Sequence, residues 1–198
     1  RSARPCFLIQ RGGGFVVELY ETSPAGAGLP LEIGTVSARE VQAPLHLLAP
    51  YRGQAVQAAA AFNTQMGLEW PGPNELKRKG GVYALWFDHA HIAVMGTTPS
   101  TRLARHAAVT DVGDGWTVLE LNGAEVRDVL ARLTPLDLRV KQFKTGMSQR
   151  SSLMHMQAVI SCLGKSRFRV MVFRSMTQTL LHDLTTAMES VAARAHLV

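Results

Sequence analysis

The spacing of apolar residues along this chain changes period several times, and each change marks an element. FVVELY, Phe15 to Tyr20, has the length and β-branched content of a strand. The prolines and glycines of TSPAGAGLP then interrupt regular structure. GTVSAREVQAPLHLLAPYRG alternates apolar and polar residues and is broken by Pro44 and Pro50, a pattern that predicts an extended edge or a short strand. From Gly53 the period is helical: Val56, Ala59, Ala60, Phe62, Asn63 and Met66 recur three and four residues apart, and Gly67 is placed to stop the helix. LEWPGPNELKRKGG reads as a proline-rich loop. VYALWF and IAVMG read as a hairpin closed at DHAH, and STRLARHA as a short helix with Ser100 as its cap.

In the second half, GWTVLELNG predicts a strand. NGAEVRDVLARL predicts a helix in which Asn122 and Glu125 have capping-box spacing, ended by Pro135. SLMHMQAVISCLG and SRFRVMVF read as two strands joined by a glycine-containing turn. A last helix runs from Met176 to Arg194 behind a stripe of Leu180, Leu181, Leu184, Ala187, Met188, Val191 and Ala192. The order β-α-β-β-α is most of a split β-α-β unit, which predicts an α+β fold with antiparallel or mixed sheets and helices on one face. The expected division is an N-terminal arm with one strand over residues 1–34, then an α+β domain over 35–198, whose second half (108–195) is that unit.

Composition narrows the class. With 198 residues, 46% hydrophobic and 18% charged, the chain can bury a sizeable core and lacks the charge excess of a disordered one. No apolar run approaches the roughly 20 residues of a bilayer crossing. RSARPCFLIQRGGG lacks the apolar centre of a signal peptide, so the expected compartment is the cytoplasm. Cys6 and Cys162 are too few for a four-cysteine zinc site and are expected as reduced thiols. The net charge of +6 comes from scattered groups: Arg1, Arg4 and Arg11, then Lys77 to Lys79, Lys141 with Lys144 and Arg150, and Lys165 to Arg169. Such scattered charges are read first as solvated loops and sheet faces, though attraction to phosphate or to an acidic neighbour leaves the same imbalance.

The densest gathering of catalytic residue types is VFRSMTQTLLHDL, with Ser175, His182 and Asp183. Ser175 precedes the last helical stripe and Gln178 follows three residues later, the spacing of an N-cap and its capping box. His182 lies roughly 10 Å further along that helix, at about 1.5 Å per residue, whereas proton transfer needs approach to about 3 Å. His182 and Asp183, being adjacent, do not face each other. These residues therefore make no triad. His89 and His91 of DHAH lack a third ligand nearby, and a hairpin turn accounts for them. RGGGF, Arg11 to Phe15, leads into a strand, whereas phosphate cradles open a helix. Asp111 to Gly115, DVGDG, lacks the later ligands of a calcium loop and reads as a tight turn. SRFRVMVF keeps Phe168 and Phe173 but carries Arg167 and Arg169 where an RNA-recognition strand has small residues, which leaves RNA binding as the weaker alternative. No catalytic, cofactor-binding or metal-binding residue is assigned.

Two segments carry a resemblance. HAAVTDVGDGWTVLELNGAEVRDVLARLTPLDLRVKQF and FRVMVFRSMTQTLLHDLTTAMESVAAR resemble the gamma subunit of bacterial heterotetrameric sarcosine oxidase, through VTDVGDGWTVLELNG (Val109 to Gly123), AEVRDVLARLTPLDL and the turn at Arg174 and Ser175. Fainter similarity extends through VSAREVQAPLHLLAPYRGQ and NTQMGLEWPGPN, covering Thr35 to Arg194, with a departure at WFDHAHIAVMG. The resemblance implies a fold similar to a folate-binding domain of the glycine-cleavage T-protein. It implies a complex that oxidises sarcosine to glycine and passes the methyl carbon to tetrahydrofolate. In such complexes the alpha subunit holds NAD and the folate site, the beta subunit FAD and, at its border with alpha, covalent FMN, and the delta subunit zinc. The gamma subunit holds no cofactor and no catalytic residue. The expected role is thus a non-catalytic structural subunit of an oxidoreductase, partnered by alpha, beta and delta and bracing the folate-handling part of alpha. The expected contacts are the loop at Trp70 to Pro73 and the N-terminal arm. A stand-alone folate-binding transferase or repair factor is the alternative.

Overall fold

The computed structural model describes residues 5–6, 19–20 and 22–195. In chain order the elements are β1 (Pro5–Cys6), β2 (Leu19–Tyr20), β3 (Leu31–Ile33), β4 (Val36–Glu40), β5 (Leu45–Pro50), α1 (Ala55–Met66), β6 (Leu76–Lys79), β7 (Val82–Trp86), β8 (Ile92–Met95), β9 (Ala107–Asp111), β10 (Trp116–Gly123), α2 (Val126–Ala131), β11 (Ser148–Leu153), β12 (Met156–Gly164), β13 (Arg167–Phe173) and α3 (Thr177–Ala195). Among the described residues three sheets form, each antiparallel throughout. β1 pairs with β2, a six-stranded sheet runs β11-β12-β13-β10-β4-β3, and a five-stranded sheet runs β6-β7-β8-β5-β9. β10 and β12 lie parallel on either side of β13, which is the split β-α-β arrangement expected, with β11 added as an outer strand.

The two large sheets pack face to face, and each covers its outer face with helices. On the outer face of the six-stranded sheet, Leu119, Leu121, Ile160, Phe168 and Val170 meet α2 and α3 through Val126, Leu130, Leu180 and Leu184. Its inner face contributes Val118, Val159, Leu163 and Met171 to a layer shared with Leu45, Leu85, Ala93 and Met95 of the other sheet. That second sheet turns Leu48, Ala84, Ile92 and Val94 outward onto Phe62 and Met66 of α1. The order is therefore helix, sheet, sheet, helix, and it explains why β8 and β12 read as nearly continuous apolar runs: both of their faces are covered.

Several local expectations are corrected. The stretch predicted as an extended edge or a short strand supplies two short strands, and neither is at an edge: β4 lies between β3 and β10, and β5 between β8 and β9. α1 ends at Gly67 in the left-handed conformation (φ 61°), as expected, but its buried face is Ala58, Phe62 and Met66, and Val56 is 80% exposed. LKRK is a strand, β6, which turns through Gly80 and Gly81 into β7. SLMHMQAVISCLG is not one strand: the chain reverses at Met154 and His155, where Met154 has φ 51°, and β11 pairs back on β12. STRLARHA forms only a 3₁₀ turn at Leu103–Arg105, and the Ser100 hydroxyl bonds Gln65 Oε1 at 2.8 Å. The Asn122–Glu125 capping box does not form, because Asn122 is still in β10 and Glu125 Oε2 accepts from the Thr35 hydroxyl at 2.7 Å. The boundary expected at residue 34 falls in the β3–β4 turn, so residues 31–33 belong to the six-stranded sheet. FVVELY lies largely outside the described residues; only its last two, Leu19 and Tyr20, appear as β2.

The start of α3 also differs from expectation. Ser175 is exposed in a 3₁₀ turn, and its hydroxyl makes no hydrogen bond among the described residues. Thr177 anchors this end instead: its buried hydroxyl donates to the Arg174 carbonyl at 2.7 Å and lies 2.6 Å from the Thr117 hydroxyl on β10, tying α3 to the sheet. Gln178 reaches out to the Pro24 carbonyl at 2.7 Å rather than back to Ser175. Thr177→Val should therefore cost about 1–2 kcal/mol, since it also leaves the Thr117 hydroxyl buried without its partner. Ser175→Ala should stay within about 0.5 kcal/mol of the parent. Thermal unfolding of the two variants checks the ranking.

Candidate functional site

Inside the layer between the sheets, one row of polar residues crosses five neighbouring strands. The register aligns Ser148, Ser161, Arg169, Glu120 and Arg39 on β11, β12, β13, β10 and β4. Ser148 and Ser161 hydroxyls are 2.8 Å apart. Arg169 Nη2 donates to Glu120 Oε2 at 2.9 Å, and Arg39 Nη2 to Glu120 Oε1 at 2.7 Å. The second sheet completes the setting: the Arg169 guanidinium lies 4.1 Å from the Tyr83 ring centroid and 3.3 Å from Met95 Sδ. Burial pushes the Glu120 carboxyl up, but hydrogen bonds and charge from Arg39 and Arg169 outweigh it and hold the group below its ordinary value. With both acid and base locked in mutual pairing, the row works as a structural clasp.

At one end the sheets part and leave an open cleft of about 700 Å³. Its walls are the β4–β5 connection (Glu40 to Pro44), the turn from Asp111 to Trp116, the segment Thr22 to Pro24, and Arg174. The N-terminal segment is fastened here: the Ser23 hydroxyl donates to Glu40 Oε2 at 2.6 Å, and Arg174 donates to the Thr22 carbonyl. His46 is buried in the same wall, with Nδ1 unpartnered among the described residues and Nε2 4.0 Å from Asp111 Oδ2. Beside the cleft lies a second hollow, bounded by Asp111 to Trp116 and by Phe173. Spacing alone points only to the DVGDG turn, Phe173 and Arg174 among these residues, because the cleft is assembled from four separate segments.

The sequence candidates do not converge. His182 is exposed on α3 and Asp183 half-buried beside it, well separated along the helix from Ser175. His89 is exposed. His91 Nδ1 lies 2.9 Å from Asp88 Oδ1, which also accepts the backbone amides of Ala90 and His91 at 2.8 Å, so DHAH is a hairpin turn held by its aspartate. In DVGDG, Asp111 Oδ1 accepts the Gly113 amide at 2.9 Å, a tight turn as read. RGGGF lies outside the described residues. Cys162 is a buried free thiol, with Sγ 3.3 Å from the Gly164 carbonyl. The RNA reading fails on Phe168, which is fully buried under the helices and cannot stack on a base, while Arg169 points into the inter-sheet layer. Trp70, expected at a partner surface, folds back onto α1 with its ring 5.4 Å from Phe62, edge to face. No helix among the described residues is long and apolar enough to cross a membrane.

The sequence model described as the Sarcosine oxidase, gamma subunit family matches residues 52–189, more than half of the chain. The chain belongs to that family. Among solved structures, this gamma-subunit family member is similar to a chain of the heterotetrameric sarcosine oxidase from Corynebacterium sp. U-96 in complex with pyrrole 2-carboxylate. The TM-score is 0.74 at 22% identity, covering 87% of this chain and 96% of that one. It is also similar to the glycine cleavage system aminomethyltransferase T from Bartonella henselae, with a TM-score of 0.51 at 12% identity, over 91% of this chain and 53% of that one. The chain thus spans about half the length of that aminomethyltransferase, and the fold is the α+β type expected. No curated protein sequence matches it.

Proposed function

We propose that this chain is the gamma subunit of a heterotetrameric sarcosine oxidase working in the cytoplasm, a structural subunit that contributes no catalytic side chain. Its partners are the alpha, beta and delta subunits, which carry NAD, FAD, FMN, zinc and the tetrahydrofolate site, and it braces the folate-handling part of alpha. The family match over residues 52–189 carries this reading. The clasp of Arg39, Glu120 and Arg169 supports it, since the buried Glu120 and Arg169 are engaged in pairing neighbouring strands of one sheet. Co-expression of the tagged chain with the three companion subunits should give stoichiometric co-purification, and recovery of the tagged chain alone would overturn the proposal. The likeness to an aminomethyltransferase keeps a stand-alone folate-binding role as the second reading. Titration of the isolated chain with tetrahydrofolate separates the two: the subunit role predicts no saturable binding.

A further inference from the structure

On the inner face of the six-stranded sheet, Trp116 and Phe173 are the last aligned pair of β10 and β13, following Val118 with Met171 and Glu120 with Arg169. The inner pairs are covered by the second sheet. This last pair is covered only in part, with Trp116 half-buried and Phe173 exposed. Phe173 is 46% exposed, Met176 just beyond it 41%, and the Trp116 and Phe173 rings stack at 4.4 Å with 34° between their planes. Phe87 buttresses Trp116 edge-on at 5.4 Å, so the indole is held as a fixed platform.

Beside that platform stand two carboxylates, although the chain as a whole carries +6, while the nearby Arg150 is taken up over Phe87 at 4.7 Å. Asp111 and Asp114 line the same hollow of about 470 Å³ as the two rings. Glu40 faces the adjoining cleft, where the guanidinium of Arg174 is already engaged by the Thr22 carbonyl. Asp111 Oδ2 has His46 Nε2 at 4.0 Å, beyond hydrogen-bonding reach, and the His46 ring is itself buried with Nδ1 unpartnered among the described residues. Stacked aromatic faces beside two exposed carboxylates match one side chain above others. A guanidinium lies flat on aromatic rings while its N–H groups meet carboxylates, and it sheds water more readily than an ammonium.

We infer that this aromatic and acidic hollow is the docking point for an arginine of a companion subunit. The inference rests on the subunit role proposed above and specifies which surface serves it. The test uses the full-length chain and the co-expressed companion subunits, with affinity measured by biolayer interferometry. Asp114→Lys and Phe173→Ser should each weaken assembly at least tenfold, and charge reversal at the exposed Asp128 on α2 should leave it unchanged. Both variants sit at exposed positions, and unaltered thermal melts separate lost docking from lost folding. Replacing the engaged companion arginine by glutamate should restore affinity to Asp114→Lys. If the parent chain assembles and the two variants assemble as well as it does, the docking inference falls while the subunit role stands. If the parent chain binds no companion subunit, both fall.

Discussion

Glu120→Ala should remove about 3–5 kcal/mol of unfolding free energy in urea denaturation, because it strands the Arg169 guanidinium in the inter-sheet layer. Arg169 and Glu120 side chains are 4% and 6% exposed, so solvent does little to replace the lost partner. The Arg39 pair contributes less, since that arginine is 69% exposed and water serves it well. Glu120→Leu combined with Arg169→Met should recover most of the loss, since an apolar pair of similar volume needs no compensating charge. The pH dependence has a definite sign. The folded carboxyl lies below its ordinary value, so its stabilisation is complete above the unfolded-state value and is lost as pH falls through the lower, folded one. The parent should therefore lose stability on acidification below the ordinary carboxylate range more steeply than Glu120→Gln, and parallel curves would refute the assignment.

Gly123→Ala should be comparably damaging, at about 3–5 kcal/mol, the sum of backbone strain and overpacking. Gly123 has φ 150°, and a Cβ there would press on the Thr35 carbonyl and lie 2.7 Å from Val36 Cα. Those atoms are backbone of the neighbouring strand end, where Gly123 pairs with Val36, so no side chain can rotate aside. Gly115→Ala, with open space around the corresponding position, is the matched control and should melt close to the parent.

Periodicity revealed the elements that bury one continuous stripe. Every residue of the α3 stripe from Leu180 to Val191 is buried, and the hairpin of VYALWF with IAVMG closes where expected. It misplaced features decided by distant partners. In α1 the apolar residues surround most of the helix, so the alanines could not reveal which face meets the second sheet. Lys77 and Lys79 disguised β6 as a loop because an edge strand has one side open to water. Ser175 and Gln178 have capping-box spacing, yet Gln178 donates to Pro24 and Thr177 bonds Thr117, both far off in sequence. The same limit hid the cleft. Trp116 and Phe173 read as strand residues, and only the point at which the second sheet stops covering them makes them a surface.

The outermost strands of the stack decide how another polypeptide can approach it. β6 ends in Lys77, Arg78 and Lys79, β3 has only three residues, and β11 is SQRSS before its final leucine. Charge, brevity and polarity at these margins discourage a foreign chain from zipping on by main-chain hydrogen bonds. β9, AAVTD, is the remaining margin and carries none of these devices before its final aspartate; at the other three, association is left to side chains, which makes contacts there separable by single substitutions.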